Sequence, residues 1–211
     1  MKYAAPATVE EAQALLADDA DAQVFAGATD LVPQMRAGRP APSLLVDLKR
    51  IDRLTSVTHE DGRWTIGAAT PTADLTRNEA FTAAFPGLSE SAGLIGSDQI
   101  QNRSSLGGNL ANASPAADSV PALIANDGQA VIATADGTRT VPAAEVATGP
   151  GHTSLADGEF IVEFTLADPP AGTGDAYLRM IPRTEMDIAI VGAAVRVTVD
   201  GDTISDATVV L

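Results

Sequence analysis

The sequence predicts an α+β protein: a small parallel βαβ unit, a mixed sheet with helices, and the start of a third, strand-rich unit. Three observations predict it. Two short apolar runs, 22–26 and 44–48, flank a short helical segment, an order that suggests parallel strands joined by a crossover. Two later pairs of alternating runs each turn at an Asp-Gly pair, Asp61-Gly62 and Asp136-Gly137, which signals hairpins. Asp168-Pro-Pro-Ala-Gly-Thr-Gly174 then marks a boundary. The units are expected at 1–57, 58–174 and 175–211.

The elements follow in order. Thr8 and Glu11 have capping-box spacing, and Val9, Ala12, Leu15 and Leu16 share one helical face. Residues 18–21 are a polar break before the first apolar strand. Gly27-Ala28-Thr29-Asp30 makes a turn, and 31–37 reads as a short helix that Gly38 terminates. Val57 and His59 approach the first hairpin turn, and Trp64 and Ile66 leave it. Helical material is expected over 72–94. A glycine-containing loop around Gly107 and Gly108 comes next. A helix over 116–126 follows, shifted or kinked by Pro121. Residues 129–134 and 138–141 flank the second hairpin turn, 159–166 is a strong strand, and 176–181 and 188–199 are the strands of the last unit.

Composition narrows the chemistry. The 211 residues, 45% of them hydrophobic, suffice for one large or two small domains. There is no Cys, which excludes disulfides, thiolate metal sites and Cys-ligated iron–sulfur clusters on this chain. The only histidines are His59 and His152, which weighs against a His-based dyad or a multi-His metal site. A net charge of −15 repels nucleic acid and anionic membranes. No run is long and apolar enough to insert in a membrane. The opening Met1-Lys2-Tyr3-Ala4 lacks a charged leader with an apolar core, so a cytoplasmic protein is expected.

Three segments are candidate sites. In Val24-Phe-Ala-Gly-Ala-Thr-Asp-Leu31 a strand ends at Gly and opens a helix, so free amides point outward and can receive a phosphate. Taken alone, these residues read more simply as an ordinary helix capped by Thr29 or Asp30. In Ser105-Leu-Gly-Gly-Asn109 the glycines allow close approach, and Asn109 adds a two-way amide. Asp118 could accept from a ribose hydroxyl, or be a solvated residue near a helix start. In the third segment, 177–188, Arg179 and Arg183 could face an anion or an electron-rich ring. The plain alternative is surface pairing with Glu185 or Asp187.

Together these residues resemble the FAD-binding medium subunit of the molybdenum hydroxylases, the group of xanthine dehydrogenase and aerobic carbon monoxide dehydrogenase. Phe25-Ala-Gly-Ala-Thr-Asp-Leu31 is similar to that family's first flavin loop. Gln99-Ile-Gln-Asn-Arg103, Ser105-Leu-Gly-Gly-Asn-Leu110 and Ser114-Pro-Ala-Ala-Asp-Ser-Val-Pro-Ala-Leu123 are similar to its second. The resemblance covers nearly the whole chain, and the second block is long, ordered and specific.

The resemblance implies a two-subdomain FAD-binding fold of the vanillyl-alcohol-oxidase type. Val24, Phe25, Ala26, Gly27, Ala28, Thr29, Asp30 and Leu31 would wrap the FAD pyrophosphate with backbone amides, together with Ser105, Leu106, Gly107, Gly108 and Asn109. Asp118 would contact the ribose or ribityl end. Ile95 would pack near the cofactor, Ile161 or Val162 would lie along the flavin, and Arg179 would stand near the ring. No catalytic side chain and no metal on this chain are implied. Electrons would come from the [2Fe–2S] clusters of a small partner subunit. A large subunit would carry molybdopterin, in a dimer of heterotrimers. Departures are Ala28 where a second Gly is usual, Gln101 for Arg and Ser105 for Thr. Positive φ at Ala28 would cost about 1 kcal/mol, so negative φ is expected there. Family members continue into a longer C-terminal domain, so 175–211 is expected to be an incomplete unit. Two alternatives stand beside this reading: a self-contained FAD oxidase or dehydrogenase of the same fold, and a flavin-free scaffold.

Overall fold

A computed structural model describes residues 1–184 and 186–211; Glu185, one expected partner for Arg183, lies outside the described residues. The first unit runs β1 (Lys2–Ala4), α1 (Val9–Asp18), β2 (Ala22–Phe25), α2 (Leu31–Arg36), β3 (Leu44–Asp47) and the single turn α3 (Asp52–Thr55). Its strands are all parallel in the order β1-β3-β2, with Lys2 and Ala22 both level with Leu44. The N-cap of α1 forms as its spacing implies. Thr8 accepts from the Glu11 N–H at 3.1 Å, while the Glu11 carboxylate reaches the Ala7 N–H. Strand β1 has no sequence signal, because three residues are too few to show alternation.

The second unit runs β4 (Val57–Glu60), β5 (Arg63–Gly67), α4 (Thr72–Arg77), α5 (Glu79–Ala84), α6 (Pro86–Gly93), α7 (Asp98–Gln101), α8 (Leu106–Ala111), α9 (Ser119–Ala125), β6 (Gln129–Thr134), β7 (Gly137–Pro142), β8 (Ala147–Gly149), β9 (His152–Thr153) and β10 (Phe160–Ala167). Five strands form an antiparallel sheet, β4-β5-β10-β6-β7. The first hairpin turns through Asp61 and Gly62 at φ 50° and 71°, the left-handed pair its sequence calls for. The expected helical stretch 72–94 is three helices. Asn78 caps the second through the Phe81 N–H, and Pro86 starts the third. Helix α9 begins at Ser119, not 116, which puts Pro121 in its first turn where a missing N–H leaves no gap.

Two cores sandwich this sheet. Trp64, Ile66, Ile132, Ile161, Phe164 and Leu166 pack one face against Leu75, Phe81, Leu88, Leu110 and Leu123 of the helices. Phe160 and Val162 join Val9, Leu44, Val46 and Leu54 on the other face. Three consecutive β10 residues, Phe160 to Val162, are out of solvent because both faces are covered, and a register shift between Ile161 and Glu163 returns Phe164 to the helix-covered face. Arg53 binds both oxygens of Glu163, at 2.7 and 2.8 Å, across the same seam.

Strands β11 (Thr173–Met180), β12 (Val191–Asp200) and β13 (Thr203–Val210) form a third, antiparallel sheet. Tyr177 and Ala194 join it to the main core. The Asp175 carboxylate accepts from the Gly87 and Leu88 N–H groups, each at 3.0 Å, at the start of α6. Among the described residues no helix is long and apolar enough to cross a membrane.

Candidate functional site

The first unit meets the second along a cleft of about 480 Å³. One wall is the end of β2 and the turn into α2. The other is the start of α8, with Ile95 and Ser104. Gly27 is what lets the walls meet: a Cβ there would lie 1.8 Å from the Arg103 carbonyl oxygen. Ala28 has φ 58°, which corrects the negative φ expected from its side chain. One left-handed residue in such a turn swings successive peptide N–H groups to one side, at about 1 kcal/mol for a side chain with Cβ. The backbone N–H groups of Gly27, Ala28, Thr29 and Asp30 have no acceptor among the described residues. Neither reading of a capped helix holds, because Asp30 makes no side-chain cap and Thr29 accepts no helix amide.

The second segment is different from the expected bare loop. It is helix α8, and the N–H groups of Gly107, Gly108 and Asn109 are occupied. The Gly107 N–H donates to Ala68 O at 3.1 Å, the Gly108 N–H to Ser105 Oγ at 3.1 Å, and the Asn109 N–H to Ser105 O at 2.9 Å. Ser105 is the N-cap, a role that the Ser-x-x-Gly spacing left unseen. The side of α8 that faces the cleft offers surface instead. Gly108 is exposed there, and Asn109 accepts the Ser119 hydroxyl at Oδ1, which leaves its Nδ2 free to donate among the described residues. Leu106 does not face the cleft; it is a core residue, 1% exposed.

An apolar recess of about 110 Å³ continues from the cleft, lined by Phe25, Leu48, Gly107, Leu155 and Ile161. Val162, the alternative to Ile161, is fully buried on the opposite face of β10 and lines nothing, because alternation at the bulge turns it away. The charged residues of the main cleft are Asp30 and Arg39. Asp30 is exposed, yet the protein atoms crowding the concave wall desolvate its carboxyl and push it up. Arg39 donates to the Gln34 and Gln23 carboxamide oxygens, and Gln34 bridges to Asn112 at 3.0 Å. Sequence reasoning picked out Asp30 but missed Arg39, Gln34, Gln23 and Asn112. Gln34 lies one helical turn beyond Asp30, a spacing that could have found it; Arg39 carries no local signal.

Asp118 and Arg179 are brought together, but not into this cleft. They pair at 3.1 Å with 12% and 8% of their side chains exposed. Tyr177 donates its hydroxyl to the other Asp118 oxygen at 3.0 Å, and Arg179 also reaches the Leu94 carbonyl at 2.9 Å. Burial, then the Asp118 charge, pushes the Tyr177 hydroxyl well above its ordinary value. Arg179 borders a separate pocket of about 430 Å³ with Leu94, next to Ile95 of the main cleft. Arg183 instead pairs with Asp187 on the surface.

The profile of the family described as the FAD binding domain in molybdopterin dehydrogenase matches residues 1–168. The chain belongs to that family. The CO dehydrogenase flavoprotein C-terminal domain matches this FAD-binding chain over 176–211. It is 38% identical over 199 residues to the 6-hydroxypseudooxynicotine dehydrogenase complex subunit alpha of Paenarthrobacter nicotinovorans, covering 94% of this chain and 67% of that one. It is 36% identical over 205 residues to the carbon monoxide dehydrogenase medium chain of Hydrogenophaga pseudoflava, covering 97% and 71%. The solved carbon monoxide dehydrogenase of H. pseudoflava lacking the Mo-pyranopterin moiety superposes with a TM-score of 0.94 at 35% identity, over 99% of this chain and 73% of that one. The resemblance and the α+β FAD fold expected from the motifs are borne out. The protein is an FAD-binding medium subunit of the molybdenum hydroxylase type, an oxidoreductase subunit.

The residues present suit FAD. Four adjacent amide donors and the Asn109 Nδ2 can hold a diphosphate without lysines, and the recess beside Ile161 accepts a flat apolar ring edge.

Proposed function

We propose that this chain is the electron-transfer subunit of a larger assembly. It takes electrons from [2Fe–2S] clusters of a small partner subunit and passes them to an external acceptor. A large molybdopterin-binding subunit completes a dimer of heterotrimers in the cytoplasm, and this chain contributes units 1–57, 58–174 and 175–211. The observation that carries this reading is the run of four unpaired amides at residues 27–30, around the left-handed Ala28. Flavin, when bound, accepts electrons singly and releases them as a pair.

The chain's own residues bind and orient. The turn at 27–30 holds the diphosphate, with Ser105, Gly108 and Asn109 across the cleft. Ile161 packs against a ring, and Ile95 closes the side next to Leu94. Asp118 and Arg179 hold the third sheet against α6 and α9 beside that end of the cleft. No side chain on this chain is assigned a proton-transfer step.

The test is purification of the chain alone and with its genomic neighbours. The chain should carry stoichiometric yellow flavin, and the flavin should bleach on adding substrate only when the molybdenum and iron–sulfur subunits are present. Bleaching of the isolated chain by an organic substrate would make it a self-contained oxidase or dehydrogenase. Purification without flavin, and failure to take it up, would make it a scaffold.

A further inference from the structure

Lys49 is one of only two lysines in the chain, and it stands behind the binding turn, not in it. Its ammonium donates to the Ala26 carbonyl at 2.7 Å and to Asp47 Oδ1 at 2.6 Å, and lies 4.4 Å from the centre of the Phe25 ring. Asp47 is fixed in turn by the Tyr3 hydroxyl at 2.8 Å and by the Lys49 N–H at 3.0 Å. The lysine side chain is 24% exposed and the aspartate 12%. This exceeds an ordinary surface ion pair, whose partners keep their freedom.

The Ala26 carbonyl and the Gly27 N–H belong to one planar trans peptide, so they point in opposite directions. Holding the oxygen toward Lys49 turns the N–H away from it. That N–H is the first of the four without an acceptor, and Ala26 and Gly27 both line the cleft while Lys49 does not. We infer that Lys49 is a positioning residue, which fixes the Ala26–Gly27 peptide so that the turn presents its first N–H to an anionic diphosphate. Asp47 balances the ammonium charge, so the effect is on orientation and not on long-range attraction. The inference rests on the proposal that the turn at 27–30 takes the diphosphate.

The test uses the full chain stripped of flavin, titrated with FAD and with ADP, which carries a diphosphate but no isoalloxazine. The main variant combines Lys49→Met with Asp47→Asn, so that no charge is left unpaired. It should melt close to the wild type, yet bind FAD and ADP each about tenfold more weakly, by the same factor. Lys49→Arg, which keeps a donor within reach of the carbonyl, should restore both to within about threefold. If the double variant does not fold, Lys49→Gln is read by the same titrations with the same tenfold expectation. Unchanged FAD and ADP affinity in the folded variant overturns the inference. A wild-type chain on which ADP fails to compete with FAD overturns the underlying assignment of the turn.

Discussion

Two adjacent glycines answer one substitution in opposite ways. Gly107 is buried, and a Cβ on it would lie 2.5 Å from the Ala68 carbonyl oxygen and 2.6 Å from the Ala68 Cβ. Gly108 is exposed, and a Cβ there would meet only Ser105 Oγ, at 3.3 Å. Both are in α8, so alanine at either gains up to about 1 kcal/mol of helix propensity. For Gly108→Ala little opposes that gain, and the fold should be unchanged or slightly more stable. For Gly107→Ala the backbone of residue 68 must move, an overpacking cost of about 1–3 kcal/mol that outweighs the propensity. A net loss of about 1–2 kcal/mol is expected. Cofactor binding runs the other way at Gly108. It borders both the cleft and the recess, so a methyl there stands where FAD approaches. FAD affinity should fall at least about tenfold, or 1.4 kcal/mol. Urea unfolding followed by Trp64, the single tryptophan, measures stability, and quenching of flavin fluorescence measures affinity. Gly108→Ala with wild-type FAD affinity would refute the cleft assignment. Gly107→Ala with wild-type stability would refute the packing argument.

Ala28→Gly should leave FAD retention intact with stability within about 1 kcal/mol of the wild type, since relief of strain offsets the more flexible unfolded chain. Ala28→Val should lose about 1–3 kcal/mol and release flavin on gel filtration, because a β-branched residue resists φ 58°. Arg179→Met leaves a buried Asp118 charge without its partner and should cost about 3–5 kcal/mol in denaturant unfolding; a loss under about 1 kcal/mol would show the pair to be solvent-screened. Burial alone would raise the Asp47 carboxyl, but hydrogen bonds from the Lys49 ammonium, the Lys49 N–H and the Tyr3 hydroxyl outweigh it and hold the group below its ordinary value. Its folded-state value is depressed, so its contribution is present at neutral pH and is lost as pH falls below about 4. Asp47→Asn should therefore flatten the acid limb of the stability–pH curve measured by urea unfolding, and an unchanged limb would contradict it.

What the sequence made legible was local chemistry. Thr8 with Glu11, Asp61-Gly62 and the apolar alternation of β10 each specify their element through contacts a few residues apart. The turn at 27–30 was legible as an amide-bearing site, but the φ of Ala28 was not. It occurs next to the close approach of Arg103 to Gly27, a contact 76 residues away in sequence. The same holds for α8. Its glycines suggest a bare loop, whereas Ser105 caps a short helix and the Gly107 N–H is taken by Ala68 O from a distant part of the chain. Val162 and Ile161 cannot be told apart without knowing which face of β10 meets the recess and which the other core. Asp118 and Arg179 were each picked out, but their union depends on the third sheet packing on α6 and α9. Pairings across units are invisible to a reading that sees one window at a time.

In the proposed binding mode, consecutive main-chain donors at residues 27–30 grip the cofactor's diphosphate. A crystal structure of the FAD complex tests it most directly. Phosphate oxygens are expected within about 3.2 Å of at least two of the Gly27, Ala28, Thr29 and Asp30 nitrogens. A diphosphate seated elsewhere, with those nitrogens bound only to water, would contradict it.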